Sequence, residues 1–332
     1  MHRYRTSRVT ILASSIFTEG GDWRSIYLFA KQLESRGEKV AMVHVGGKRG
    51  FRQACAAGVY APKLLVNGLG TLARWHVLMI CLMRKDVRIY LHETGYILDQ
   101  FQRQSPLRYR FVSKILRHNP VLCVSKQAEA YYRERFGSTR THVVYECPGD
   151  VEPSVLDPEK THIIMVGSIN ERKGVELFSR VADLAAGAHP DWQFHWIGSK
   201  ATMDDLYQSE KVTWHGWQWN PRDIVRQCDV FFLSSIDDPC PLAALEALHM
   251  GIRCVAFHRT GTAELIHGIP GCEVFSDYNE NDAYVALKKT ISAVMLPTMI
   301  SDSIRFCTGP TAFQQAMTNA METEKTSWIE SE

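Results

Sequence analysis

Short apolar runs alternate with longer amphipathic stretches along almost the whole chain. The runs RVTILASSI (8–16), KVAMVHV (39–45), KLLVN (63–67), VRIYLH (87–92), PVLCVS (120–125) and THVVYE (141–146) read as strands. Helix-like stretches fall between most of them, notably over 22–37, 71–84, 96–118 and 126–136. The segment CPGDVEPSVLDPEK (147–160), rich in Pro and acids, then interrupts the rhythm and reads as a linker. Strands resume with HIIMVGS (162–168), QFHWIGS (193–199), KVTWHG (211–216), VFFLSS (230–235), RCVAFH (253–258) and CEVFS (272–276). Helices are predicted over 174–187, 221–228, 241–250, 262–267 and 281–295. Strand–helix alternation on both sides of a linker predicts two parallel-sheet α/β domains. The expected division is a first Rossmann-like domain over 1–148, a linker over 149–160, a second over 161–305, and a C-terminal helix and tail over 306–332.

In such sheets ligands bind at the carboxyl ends of strands, and two facing domains make a cleft. The polar and Gly-rich turns collect at those ends: EGG (19–21) and LHE (91–93) in the first half, GSINERKG (167–174), HGW (215–217), DDPCPLAALE and GTAEL (261–265) in the second. The stretch DDPCPLAALEALHM (237–250) is the most informative. Pro241 suits a first helical position and Gly251 a left-handed stop, so a helix is predicted from Pro241 to Met250. The free first-turn amides of Leu242 and Ala243, with the helix dipole, form an anion site. Asp238 stands on the loop before it, and Glu246 about 7 Å along the axis. A diphosphate on the amides with a carboxylate at each sugar outlines a sugar nucleotide. A solvated acid and an ordinary surface Glu fit this fragment as well.

Length and composition agree with a soluble two-domain protein: 332 residues, 45% hydrophobic and 22% charged. Nine scattered Cys without a C-x-x-C pair point to reduced thiols in a cytosol. No Cys/His cluster suggests zinc, and VLMICLM (77–83) is too short to span a membrane. The basic, apolar start MHRYRTSRVTILASSIF reads as a first strand, not a signal peptide. Charge is lopsided. Residues 1–150 hold 24 Lys and Arg against 11 Asp and Glu, a balance of +13. The rest of the chain carries −11. A basic first half favours an anionic partner: a lipid surface, a lipid pyrophosphate or, less favoured, a nucleic acid. Mutual attraction of the two halves explains it equally. Basic and apolar residues interleave over FQRQSPLRYRFVSKILRH (101–118), which suits either an anionic bilayer or a solvated cationic face.

VGSINERKGVELF, WHGW and DDPCPLAALEALHMGIRCVAFHRTGTAELI, in this order and spacing, resemble the donor domain of family 4 glycosyltransferases. The EGG turn, LHET (91–94) and VLCVSKQAEAYYRERFG (121–137) resemble that family's first domain. The resemblance implies the α/β GT-B fold, two Rossmann-like domains facing across a cleft, and transfer with retention of anomeric configuration. It implies a nucleotide-diphosphate sugar as donor, a UDP- or GDP-sugar, and a glycan or lipid-linked acceptor. By the same resemblance Glu246 holds the donor ribose, Asp238 lies by the donor sugar where the family usually has Glu, and Lys173 with Arg172 neutralises the leaving diphosphate. Cys240 and Leu242 offer amides that Pro241 cannot, and Gly20 and Gly21 let backbone approach the phosphates. His92 lies near the reacting carbon, Trp217 and Gln218 by the base, and Glu264 in the cleft. Ser168 stands where the family often has Arg, so Arg172 is the candidate replacement. The absence of a D-x-D motif agrees with a metal-free mechanism, and no cofactor is expected. The implied place is the cytoplasm, peripheral on the inner face of the cell membrane. A sugar-nucleotide-binding protein without turnover, and a transferase acting on nucleic acid, remain as alternative readings.

Overall fold

The computed structural model describes residues 2–14, 21–84, 86–155, 160–200, 205–294 and 296–322. Among the described residues, twelve strands form two sheets. The first contains β1 (Val9–Ala13), β2 (Val40–His44), β3 (Leu64–Asn67), β4 (Val87–Leu91), β5 (Val121–Cys123) and β6 (Thr141–Val143). The second contains β7 (Thr161–Val166), β8 (Trp192–Ile197), β9 (Val212–Trp214), β10 (Val230–Leu233), β11 (Arg253–Phe257) and β12 (Glu273–Phe275). Every pairing is parallel. Such strands are covered on both faces, which is why β1, β3, β4 and β10 are buried at every position.

The sheet orders are β2-β1-β3-β4-β5-β6 and β12-β11-β10-β7-β8-β9. Both are doubly wound, with the order reversing between β1 and β3 in the first and between β7 and β10 in the second. The loops leaving β7 and β10 therefore diverge around one crevice, and of the sequence-predicted site residues Ser168, Arg172, Lys173, Asp238 and Cys240 lie on those loops.

Three departures from the predicted elements stand out. Helix Gly47–Tyr60 fills the gap between β2 and β3. The stretch expected as one helix over 96–118 is two, Gly95–Gln104 and Pro106–His118. Pro106 lacks the N–H to continue the first helix and pushes Ser105 to φ −145°. At the C-terminal end, helix Pro310–Glu322 returns to pack on helix Gly21–Ser35 and β6 of the first domain. Gln32 Nε2 donates to Pro310 O at 3.2 Å and Lys63 Nζ to Met321 O at 3.1 Å. The chain thus crosses between domains twice. Both crossings, at Gly149–Val151 and Gly309–Thr311, line one recess with His249 and Arg305.

Candidate functional site

The loop after β7 is shaped by two local devices. Asn170 Oδ1 accepts the Lys173 amide at 3.0 Å, starting the short turn Glu171–Lys173. Gly174 ends it at φ +70°, where a Cβ would lie 2.0 Å from Ser234 O. Only glycine lets this loop pass so close to the one after β10. The turn delivers Arg172 and Lys173 to Asp238. Lys173 Nζ donates to Asp238 Oδ2, Arg172 Nη1 stands 3.6 Å from the same oxygen, and Ser235 Oγ donates to it at 3.3 Å. Arg172 Nη1 also donates to Asp237 O at 2.9 Å, which fixes the loop.

Pro241 occupies the N-cap rather than the first helical position, and the helix runs Leu242–His249. No side chain caps it. First-turn amides have no intrahelical acceptor, and Leu242 and Ala243 line the cleft. Glu246, 6% exposed, accepts from Arg222 Nη2 at 2.8 Å and from Arg24 Nη1. Arg24 comes from the first domain, so this ion pair spans the cleft. Arg222 also donates to Pro148 O at 2.9 Å and Asp150 O at 3.2 Å, tying the site to the interdomain crossing.

The opposite wall is built after β4. The His92 ring meets Glu146 through Nδ1 and Asn67 Oδ1 through Nε2, the latter at 2.8 Å. Ser25 Oγ donates to the other Glu146 oxygen, and the Tyr90 ring packs edge-on at 4.2 Å between centroids. Glu93 accepts the amides of Leu69 and His92 at 2.7 and 3.1 Å. The imidazole is thereby fixed in orientation by groups buried in the first domain.

These walls enclose a cleft of about 580 Å³, a size that suits a small ligand. It brings together His92, Ser168, Arg172, Lys173, Asp238, Cys240, Pro241, Leu242 and Glu246. Trp217 and Gln218 line an adjoining recess of about 360 Å³ that shares Arg24, Gly167, Ser168 and Pro221 with the main cleft. Burial raises the Cys240 thiol well above its ordinary value, so it stays a neutral packing group. Gly21 is the first residue of helix Gly21–Ser35, and Gly20 lies outside the described residues.

Glu264 does not line the cleft. Its carboxylate accepts the Lys126 amide at 2.8 Å, the Gln127 amide at 3.1 Å and the Tyr145 hydroxyl at 2.7 Å. It caps helix Lys126–Phe136 of the first domain from the second. Its position in the sequence gives no sign of this. Arg24, Asn67, Glu146 and Arg222 are the site residues that sequence reasoning missed. An acid closing the apolar run THVVYE was the one local signal. Among the described residues, no group of three or more His, Cys, Asp or Glu is placed to hold a metal ion.

Residues 160–292 match the family described as Glycosyl transferases group 1. The matched segment contains the loops after β7 and β10. A lipopolysaccharide 1,6-galactosyltransferase of Escherichia coli (strain K12) is 29% identical over 125 residues, 33% of this chain and 34% of that protein. A second E. coli protein, UDP-Gal:alpha-D-GlcNAc-diphosphoundecaprenol alpha-1,3-galactosyltransferase, is 28% identical over 130 residues, 36% of this chain and 34% of that protein. The matches thus span about a third of the length of these relatives. The crystal structure of Anabaena HepE in complex with UDP and glucose superposes with a TM-score of 0.73 at 13% identity, covering 96% of this chain and 100% of that one. The fold is GT-B: two Rossmann-like domains facing across a cleft.

Proposed function

We propose that the protein is a retaining glycosyltransferase that moves a sugar from a nucleotide-diphosphate donor to a glycan or lipid-linked acceptor. The observation that carries this reading is the convergence of Arg172, Lys173, Asp238 and the helix carrying Glu246 at the crevice between β7 and β10, facing His92 of the other domain. The relatives named above, a lipopolysaccharide and a lipid-diphosphate galactosyltransferase, and the UDP-bound neighbour support a UDP-sugar over a GDP-sugar.

In this reading the donor diphosphate lies on the amides of Leu242 and Ala243 and against Lys173 and Arg172. Glu246 takes the ribose hydroxyls, releasing Arg24 toward the phosphates. The base extends toward Trp217 and Gln218. Asp238 and His92 flank the sugar. As the bond from the anomeric carbon to the diphosphate oxygen breaks, negative charge grows on the leaving group. Lys173 and Arg172 stabilise it in place of a metal. The acceptor oxygen bonds to the same face of the sugar and gives its proton to the departing diphosphate oxygen.

A thermal-shift screen of nucleotide sugars, followed by donor hydrolysis, tests the proposal. A UDP-sugar should raise the melting temperature and be slowly hydrolysed. Stabilisation without hydrolysis or transfer would leave a binding protein, the reading that the shorter Asp238 keeps open. No stabilisation by any nucleotide sugar would remove the assignment. No helix among the described residues is long and apolar enough to cross a membrane. In this reading a lipid-linked acceptor is met by peripheral contact with a membrane.

A further inference from the structure

Helix Trp75–Met83 (WHVLMICLM) contains no charged residue. Val77, Leu78, Ile80 and Cys81 face the core of the first domain. Its other side should be polar in a soluble protein. Instead Trp75, Met79 and Met83 are 43, 50 and 73% exposed. Spaced four apart, they form one continuous stripe along the helix.

The helix packs between Gly47–Tyr60 and Pro106–His118. Those neighbours extend the apolar crest with exposed Phe51, Val59 and Leu107. Arg84 Nη1 donates to Gly58 O and Nη2 to Ala61 O, both at 2.8 Å, locking the ends of the first two helices together. The neighbours are also cationic. Lys48, Arg49 and Arg52 stand exposed on one, and Arg110, Lys114 and Arg117 on the other. None of the three helices contains an Asp or Glu. Seven of the 24 cations of the first half therefore stand on the two helices that flank the apolar ridge.

We infer that this ridge docks the protein on an anionic lipid bilayer, with Trp75, Met79 and Met83 entering the headgroup boundary and the flanking cations meeting lipid phosphates. An apolar crest with basic flanks is the pattern that gains from both parts of a bilayer surface. A nucleic acid fits less well. The Arg108 guanidinium already lies 5.5 Å from the Trp75 ring centroid, so one face of that ring is taken and not offered to a base. The segment 101–118, which from sequence suits either a bilayer or a solvated face, supplies part of the charge, whereas the insertion comes from helix Trp75–Met83. The inference holds whether or not the cleft transfers a sugar.

Vesicle flotation tests it with the full chain. The wild type should float with vesicles of phosphatidylcholine and phosphatidylglycerol in equal parts, and not with phosphatidylcholine alone. Met79→Gln and Met83→Gln should each weaken partitioning about tenfold. Both side chains are at least half exposed, so the melting temperature should not change. Arg110→Gln and Lys114→Gln should each weaken it about fivefold, and provide an independent check should the Met variants fold poorly. Failure of the wild type to float with the acidic vesicles overturns the proposal. So does a doubly substituted Met variant that floats like the wild type. A dimer in sedimentation equilibrium that the Met substitutions abolish would assign the ridge to a second copy, and RNA binding in place of vesicle binding would assign it to nucleic acid.

Discussion

Replacing Glu264 should loosen the seam between the domains while leaving the cleft chemistry intact. The side chain accepts two backbone amides at the start of helix Lys126–Phe136 and one hydroxyl from Tyr145. Hydrogen bonds to a charged acceptor contribute about 1.5–3 kcal/mol each when well shielded. The Lys126 contact is exposed and belongs at the bottom of that range or below. A carboxylate at a helix N-terminus adds about 0.3–1 kcal/mol. Part of this returns as water reaches the freed amides, while Ser125 still caps Ala128. Glu264→Ala should therefore destabilise the protein by about 2–4 kcal/mol. Glu264→Gln, which keeps an acceptor but loses the charge, should cost about half as much. Urea denaturation would read this as a lower midpoint, and calorimetric affinity for a nucleoside diphosphate should be unchanged. A stability within about 0.5 kcal/mol of the wild type, the range of a neutral surface change, would refute the reasoning. Weakened nucleotide affinity at unchanged stability would instead return Glu264 to the donor site.

Glu246→Ala should weaken nucleoside diphosphate binding by about tenfold, the low end for a lost charge-assisted pair, because Arg24 and Arg222 already occupy the carboxylate in the free protein; unchanged affinity in titration calorimetry would remove it from the site. Lys173→Ala should lower kcat about a hundredfold or more with little change in donor KM, since its charge matters most as the leaving group departs. Activity in EDTA should stay near its starting level, and a full loss restored by manganese would contradict the assignment of Arg172 and Lys173. His249 is buried against Thr308 at 2.8 Å, and burial, with Arg305 nearby, lowers its pKa from 6.5 to about 4. The folded state thus resists a proton that the unfolded chain accepts, so stability should be complete above pH 6.5 and fall by about 3 kcal/mol toward pH 4. His249→Gln should flatten that acid limb in denaturation curves, and an unchanged slope would show that other groups cause it.

The alternation of strands and helices was legible because parallel strands are buried on both faces and stand out as apolar runs. Helix Gly47–Tyr60 was not, for a physical reason: its buried face is Gly50, Ala54 and Ala57, too small to read as an apolar stripe. The Pro106 break was present in the sequence, but the periodicity on both sides of it concealed the change of axis. In the site, the loops after β7 and β10 carry their own local signals in Gly and Pro. Arg24 and Glu146 do not. Arg24 meets a partner 222 positions away, and Glu146 meets Ser25 across 121. No local periodicity encodes such pairings: the first forms only where the two domains face each other, the second only when the first domain has folded. Asp238 was found as an acid, yet not as one already paired with Lys173 and Arg172, the cations expected to await a phosphate.

The double crossing between the domains has a mechanical consequence. A body tethered at one point can swing about any axis through it. Two tethers leave, to first order, one free rotation, about the line that joins them. Here the two segments of the joint line one recess at Gly149–Val151 and Gly309–Thr311, so that line is short. The lobes should then open like a book on its spine, with twist and sideways slip suppressed. Each closing would bring Arg24 back to Glu246 and Glu264 back to its helix in register, so alignment is carried by the spine and need not be searched for afresh.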